Sequence, residues 1–241
     1  MHVGTISEIT RHPVKSMRGQ KVNETKVMNY GLYGDRSHAL LDENESFLTI
    51  TQFPDMVTYR ASFEEPDSLE SFPEPKVTTM SGHTYKWSDE EWLEEIERRS
   101  SKKLTRISYH PEHVPFGAIE EANLLLVTDA SLQALSESYG SSVDDRRFRP
   151  NLQVSLTNQE AFVEQDWVGK TLQIGDNVKV DVTGPCERCM IITVDPESGS
   201  RQPDLLKKVV KDHRNQFGIY LRVIETGLIK VGDEVHVIDR R

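Results

Sequence analysis

Pro185-Cys186-Glu187-Arg188-Cys189-Met190-Ile191-Ile192-Thr193-Val194-Asp195-Pro196-Glu197-Ser198-Gly199 carries both cysteines of the chain. The apolar, β-branched run 190–194 predicts a buried strand, and Asp-Pro-x-x-Gly predicts the turn that ends it. Arg188 favours the charged form of a neighbouring thiol and Glu187 opposes it. A soft, anionic sulfur at the mouth of a rigid strand suits a soft metal. Short strands bounded by turns recur on both sides of this stretch, which makes the chain mainly β.

Toward the N-terminus, residues 3–10 and 22–28 are β-prone and are joined through a turn at Gly19. Residues 39–41 and 47–50 flank Asp42-Glu43-Asn44-Glu45, and residues 76–80 and 83–87 flank Ser81-Gly82, so two hairpins are expected. The acidic, proline-bearing segment 64–75 reads as a surface loop. Ser88 and Glu91 form a capping-box pattern ahead of an apolar face of Trp92, Leu93 and Ile96. A strand over 104–109 precedes a stretch, 110–118, with two prolines and a glycine, which is the expected domain boundary. Beyond it a strand at 123–127 runs into Thr128-Asp129, which cap a helix over 130–138 that stops near Gly140. Strands are expected at 152–156, 178–182, 219–224 and 234–238, and a helix at 204–213. Many short strands with three helices predict a barrel-like β fold with helices at its rim.

Composition excludes several function classes. A 241-residue chain with 36% hydrophobic residues and a net charge of −10 is suited to burying a core, and its acidity argues against nucleic acid as a main partner. It has no apolar run of about 18 residues and hence no expected membrane span. Two cysteines make no disulfide framework, and with no signal-peptide pattern the expected location is cytoplasmic. Cations concentrate in loops: Lys15 and Arg18 in one, Arg36 in another, and Arg146, Arg147 and Arg149 within four positions. Such loops suit a small anionic ligand, although clustered arginines are commonly a solvated surface.

Cys-x-x-Cys admits several readings. Half a zinc site needs two more ligands, yet there is no second pair and His213 has no partner histidine nearby. A thiol–disulfide pair needs a following helix, where a strand is expected here. Both cysteines can also be small buried hydrophobes, a reading that fits Cys186 best and leaves Cys189 open. Elsewhere, Lys15 and Ser16 lie in a turn, Arg36 ends a glycine-spaced loop, and Arg149-Pro150-Asn151 starts a strand. Thr128 and Ser131 flank a helix start that can seat an anion. No side chain stands out as an obligatory acid or base, and Asp195 reads as a turn residue.

The order of these segments resembles the MOSC family. His12-Pro13-Val14-Lys15-Ser16 is followed by Gly-x-x-Gly-Asp-Arg, Val-Thr-Asp-Ala-Ser-Leu, Arg-Arg-Phe-Arg-Pro-Asn-Leu, Trp167-Val168-Gly169 with Ile174-Gly175, and Cys-x-Arg-Cys with Thr-Val-Asp-Pro-x-x-Gly. The likeness runs nearly end to end and extends to the branch with mitochondrial amidoxime-reducing components and bacterial reductases of N-hydroxylated compounds. It implies a MOSC N-terminal β-barrel over residues 1–115 and a MOSC β-barrel over 116–241. It implies a molybdenum–pterin cofactor with Cys189 as the metal ligand. Lys15, Ser16, Arg36, Arg149, Asn151, Glu187 and Arg188 would contact the pterin, with Thr128 and Ser131 as a looser match. Glu187 departs from the small polar residue expected at its position. The implied reaction is two-electron reduction of a small N-hydroxylated substrate to N–H plus water. At family level the likeness also carries pyridoxal phosphate binding and a detoxifying role. Without the appended ferredoxin domain or membrane anchor of some relatives, electrons are expected from a separate ferredoxin, flavodoxin or cytochrome-type protein with its reductase. A cofactor carrier or sulfur carrier is the alternative, and a metal-free barrel binding another anion is a third.

Overall fold

Ten residues at the start of the chain form the strand on which the barrel closes. In the computed structural model, which describes residues 1–119 and 121–238, β1 (His2–Arg11) leads into β2 (Gln20–Val22), β3 (Glu24–Met28), β4 (Gly31–Leu32) and β5 (His38–Asp42). β6 (Arg60–Ser62), β7 (Lys76–Thr78) and β8 (Thr84–Lys86) follow, then α1 (Glu91–Ser100), β9 (Leu104–Ser108) and the single-turn α2 (Phe116–Ile119). The second half runs β10 (Leu124–Thr128), α3 (Asp129–Tyr139), β11 (Leu152–Leu156), β12 (Thr171–Ile174), β13 (Val178–Glu187), α4 (Asp204–His213), β14 (Gln216–Glu225), β15 (Gly227–Lys230) and β16 (Glu234–Ile238).

The main sheet has the order β11-β10-β14-β13-β12-β16-β1-β2, and β1 also pairs with β11. That last pairing closes a barrel of seven strands, with β2 hanging on the far end of β1. The fold is therefore mainly β with four α-helices among the described residues, and small sheets lie N-terminal to most of the barrel. Closure leaves the barrel strands no long open edge. No described helix is long and apolar enough to cross a membrane.

Three cores position the site. The barrel is filled by Ile6, Leu126, Val154, Leu172, Val180, Leu221 and Val235, among others. The N-terminal sheets and α1 close over Leu40, Met56, Tyr59, Trp92 and Ile96. A third core joins α3 and α4 through Leu135, Phe148, Val209 and Phe217. Ile192 enters the third core and Val194 the second. Alternate residues of one strand share a face, so this division needs a turn. Met190–Thr193 is accordingly a 3-10 turn, where the sequence predicted a strand.

Two other expectations change. β5 pairs along its length with β9, and only a single bridge, Leu41 to Phe47, remains of the first predicted hairpin. α1 starts at Glu91 with no side-chain cap, because residues 86–89 form a tight turn and the Ser88 N–H donates to Glu74 at 2.7 Å. The second hairpin, β7 with β8, forms as expected. So does α3, whose N-cap Thr128 accepts the Ser131 N–H and whose end is Gly140 at φ 83°.

Candidate functional site

β13 delivers Cys186 and Glu187 at its end, and the chain then turns through Arg188 and Cys189. The two cysteines part company: Cys186 is buried and Cys189 exposed. Arg188 is fixed on four sides. Its backbone N–H donates to Asn215 O at 2.8 Å. Its Nη1 donates to the Cys186 sulfur at 2.7 Å, and its Nη2 to Phe148 O at 2.9 Å. The guanidinium carbon stands 5.3 Å from the centroid of the Phe148 ring. Only Nε is buried without a partner. The sequence placed Arg188 beside the Cys189 sulfur; the structure joins its guanidinium to Cys186.

Burial pushes the Cys186 thiol upward, while the Arg188 guanidinium pulls the other way. Cys189, Glu187, Arg188, Arg36, Arg149 and Asn151 line one cleft, with Tyr220 on β14 and Glu121 completing its wall. The sequence did not single out Tyr220 or Glu121, and only the pairing of β13 with β14 brings Tyr220 there.

The cations are rigidly set. Ser16, Arg36 and Arg149 each adopt the left-handed backbone, at φ 70°, 53° and 56°. Such strain in non-glycine residues persists where the surroundings enforce it, and it clusters at ligand sites. Arg36 is buried against the Asp35 carboxylate, which also accepts the His12 N–H at 2.7 Å. Burial alone would raise Asp35, yet the Arg36 guanidinium and His12 hold it well below the usual carboxylate range. Arg149 donates from Nη1 to Met17 O at 2.9 Å, tying the cleft to the first loop.

Lys15 is buried, donating from Nζ to Ala118 O at 3.0 Å next to the cleft residue Ile119. Asn151 sews the barrel seam: its Oδ1 accepts the Leu125 N–H at 3.1 Å and its Nδ2 donates to Thr10 O at 3.3 Å. Thr128 and Ser131 are not brought to the cleft. They lie at the other end of β10, and both hydroxyls donate to the buried Glu164 carboxylate, at 3.2 and 2.9 Å. The helix start that could have seated an external anion holds an internal one instead.

Behind Arg149 and Ile191, which line both spaces, lies a second cavity of about 450 Å³. Three of its cations are paired: Arg147 with Asp195 at 2.9 Å, Arg18 with Glu197 at 2.9 Å, and Arg146 with Glu197 at 2.7 Å. Asp195 also accepts the Glu197 and Ser198 N–H groups, which makes it the turn anchor that the sequence suggested. No group of three or more metal-ligating side chains exists among the described residues.

A closed barrel thus sets an exposed thiol in one cleft with fixed guanidinium groups, a donor set whose chemistry suits a soft metal and an anionic group. The chain belongs to the MOSC family: it matches the MOSC domain over residues 105–236 and the MOSC N-terminal beta barrel domain over residues 3–92. It is 26% identical to mitochondrial amidoxime-reducing component 1 of Xenopus laevis, over 99% of this chain and 83% of that protein. It is 28% identical to mitochondrial amidoxime reducing component 2 of Homo sapiens, over 97% and 83%. Among solved structures, the YuaD protein of Bacillus subtilis matches its fold with a TM-score of 0.54 at 12% identity, covering 100% of this chain and 98% of that one.

Proposed function

We propose that this protein is a molybdenum-cofactor oxidoreductase that reduces N-hydroxylated compounds to N–H compounds and water. The observation that carries the reading is the exposed Cys189 thiol beside the clamped Arg188, whose buried Nε has no protein partner. A buried donor left unpaired costs about 1–3 kcal/mol, which an anionic ligand in the cleft would recover. The donor set fits the cofactor: one thiolate for the metal, and guanidinium and amide groups for a phosphorylated pterin.

Cys189 would bind the metal, and Arg188, Arg36 and Arg149 would line the pterin, with Lys15, Ser16 and Asn151 shaping the surrounding loops and seam. When bound, the cofactor supplies two-electron oxygen-atom chemistry that no side chain can perform. The residues' own work is to fix the ligand's orientation without reorganising when charge changes. Glu187, exposed at the rim, adds a negative charge near the thiol. Electrons come from a separate ferredoxin, flavodoxin or cytochrome-type donor.

Protein made in a cofactor-competent host should contain about one molybdenum per chain and reduce benzamidoxime with a chemical donor. Cys189→Ala should lose both metal and turnover. Full molybdenum with no turnover would support a cofactor or sulfur carrier and overturn the reductase reading. Absence of molybdenum from the wild-type protein would overturn both.

A further inference from the structure

We propose that the cavity behind Arg149 is a second binding site, for a small zwitterion with a carboxylate at one end and an ammonium group at the other. Both halves of the chain build it: Arg18 and Arg60 come from the first, and Asp145 from the turn before β11. The site needs neither Cys189 nor a metal, so it stands apart from the reductase reading.

Two charges of opposite sign line this space without a partner. Most of the other ions there are matched, Arg147 by Asp195, Arg146 by Glu197 and Lys21 by Glu8. Arg60, exposed on β6, makes neither an ion pair nor a side-chain hydrogen bond among the described residues. A parallel bridge sets Arg18 beside it: the Arg18 N–H donates to Tyr59 O at 2.8 Å, and the Ala61 N–H donates to Arg18 O at 3.3 Å. The Nη2 of Arg18 is committed to Glu197 at 2.9 Å, while its Nε is buried without a partner. A free guanidinium next to a buried, unpaired N–H forms a seat for a carboxylate.

Asp145 is the opposite pole. Among the described residues its carboxylate makes no ion pair and takes no hydrogen bond from another residue. Burial raises it and the Glu8 charge raises it further, with Lys21 pulling the other way. An ammonium group placed there would offset both. Val57, Ile191 and Val194 give the cavity an apolar stretch of wall, continuous with the N-terminal core, that suits the hydrocarbon body of such a ligand. A simple anion would leave Asp145 unmatched, and a simple cation would leave Arg60 so. The volume, about 450 Å³, lies in the range of small-molecule sites.

The test is calorimetric titration of the full chain, at low salt and pH 7, with β-alanine, 4-aminobutyrate and 6-aminohexanoate. At least one should bind with a Kd of about 1 mM or tighter. The acid and the amine of the same length, each carrying one charge, should bind about 10-fold more weakly. Arg60→Ala should weaken the zwitterion about 10-fold and leave the amine unchanged. Asp145→Asn should weaken it to a similar degree without weakening the acid. Neither side chain has a protein partner to lose, so both variants should keep the wild-type circular dichroism spectrum and melting temperature. Failure of all three zwitterions to bind below about 10 mM overturns the site, and so does equal binding of zwitterion, acid and amine. Binding that survives both substitutions overturns its place in this cavity. Neither metal content nor turnover is read, so failure of the reductase reading is a separate result.

Discussion

His12 and His38 are buried rings whose neutrality the fold depends on. Burial, with the Arg149 charge behind it, brings His12 down to about 3, and burial brings His38 down to about 4. Both would titrate near 6.5 in the unfolded chain. Between pH 6.5 and about 4 the unfolded chain therefore binds two protons that the folded chain refuses, so stability rises with pH. Each ring contributes a slope of roughly 1.4 kcal/mol per pH unit. Moving from pH 7 to pH 5 should remove on the order of 4 kcal/mol, a large part of an ordinary domain's stability. Asp35 acts in a lower window: its depressed carboxyl contributes fully above the ordinary carboxylate range and is lost only below it. Urea unfolding curves collected from pH 7 to pH 4 check this, and a midpoint unchanged down to pH 5 would refute it. Because His12 and Asp35 together hold Arg36 in place, acid should loosen the cleft early.

At the scale of elements, Gly218 lets β14 pass close against β10. It sits inside β14 at φ 77°, and a Cβ there would stand 2.8 Å from Leu126 O. Gly218→Ala should cost about 1–3 kcal/mol, read as a lowered melting temperature. What the sequence disclosed follows the same physics. α3 and α4 were legible because their boundaries are local: Thr128 and Gly140 flank one, and an apolar stripe marks the other. The barrel strands were legible from β-branched runs, and the cation loops from their spacing. Met190–Val194 misled because a β-branched run reads alike whether its residues share one core or divide between two. β5 chose β9 over its neighbour for a reason no local pattern carries, since that pairing spans some sixty residues. Tyr220 was invisible for the same reason: its place in the cleft is a property of strand register. Thr128 was chosen correctly as a cap, but the distant acceptor that its hydroxyl shares with Ser131, Glu164, could not be read from sequence.

At the scale of the whole molecule, the cleft is a joint product of both halves. Arg36 comes from the first, Cys189 and Arg149 from the second, and Val194 anchors the segment after Cys189 in the N-terminal core. β1 pairs with β11 along one edge and with β16 and β2 along the other. Residues 105–238 alone would leave β11 and β16 with exposed edges, an invitation to aggregation. That fragment should be insoluble or molten, with poor amide-proton dispersion in NMR. Adding a peptide spanning residues 1–23 should restore dispersion, and a well-folded monomeric fragment without it would contradict the role given to β1.

The same closure fixes a timetable for synthesis. β2 follows β1 at once, but the two barrel neighbours of β1 are made much later, residues 152–156 first and then 234–238. Until residues 152–156 arrive, an apolar stretch bearing Ile6 and Ile9 has only β2 beside it, and the ring shuts only when the closing strand is free. Such long-range pairing folds slowly and leaves sticky intermediates. Yield of this protein in a cell should depend on chaperones that shield nascent chains.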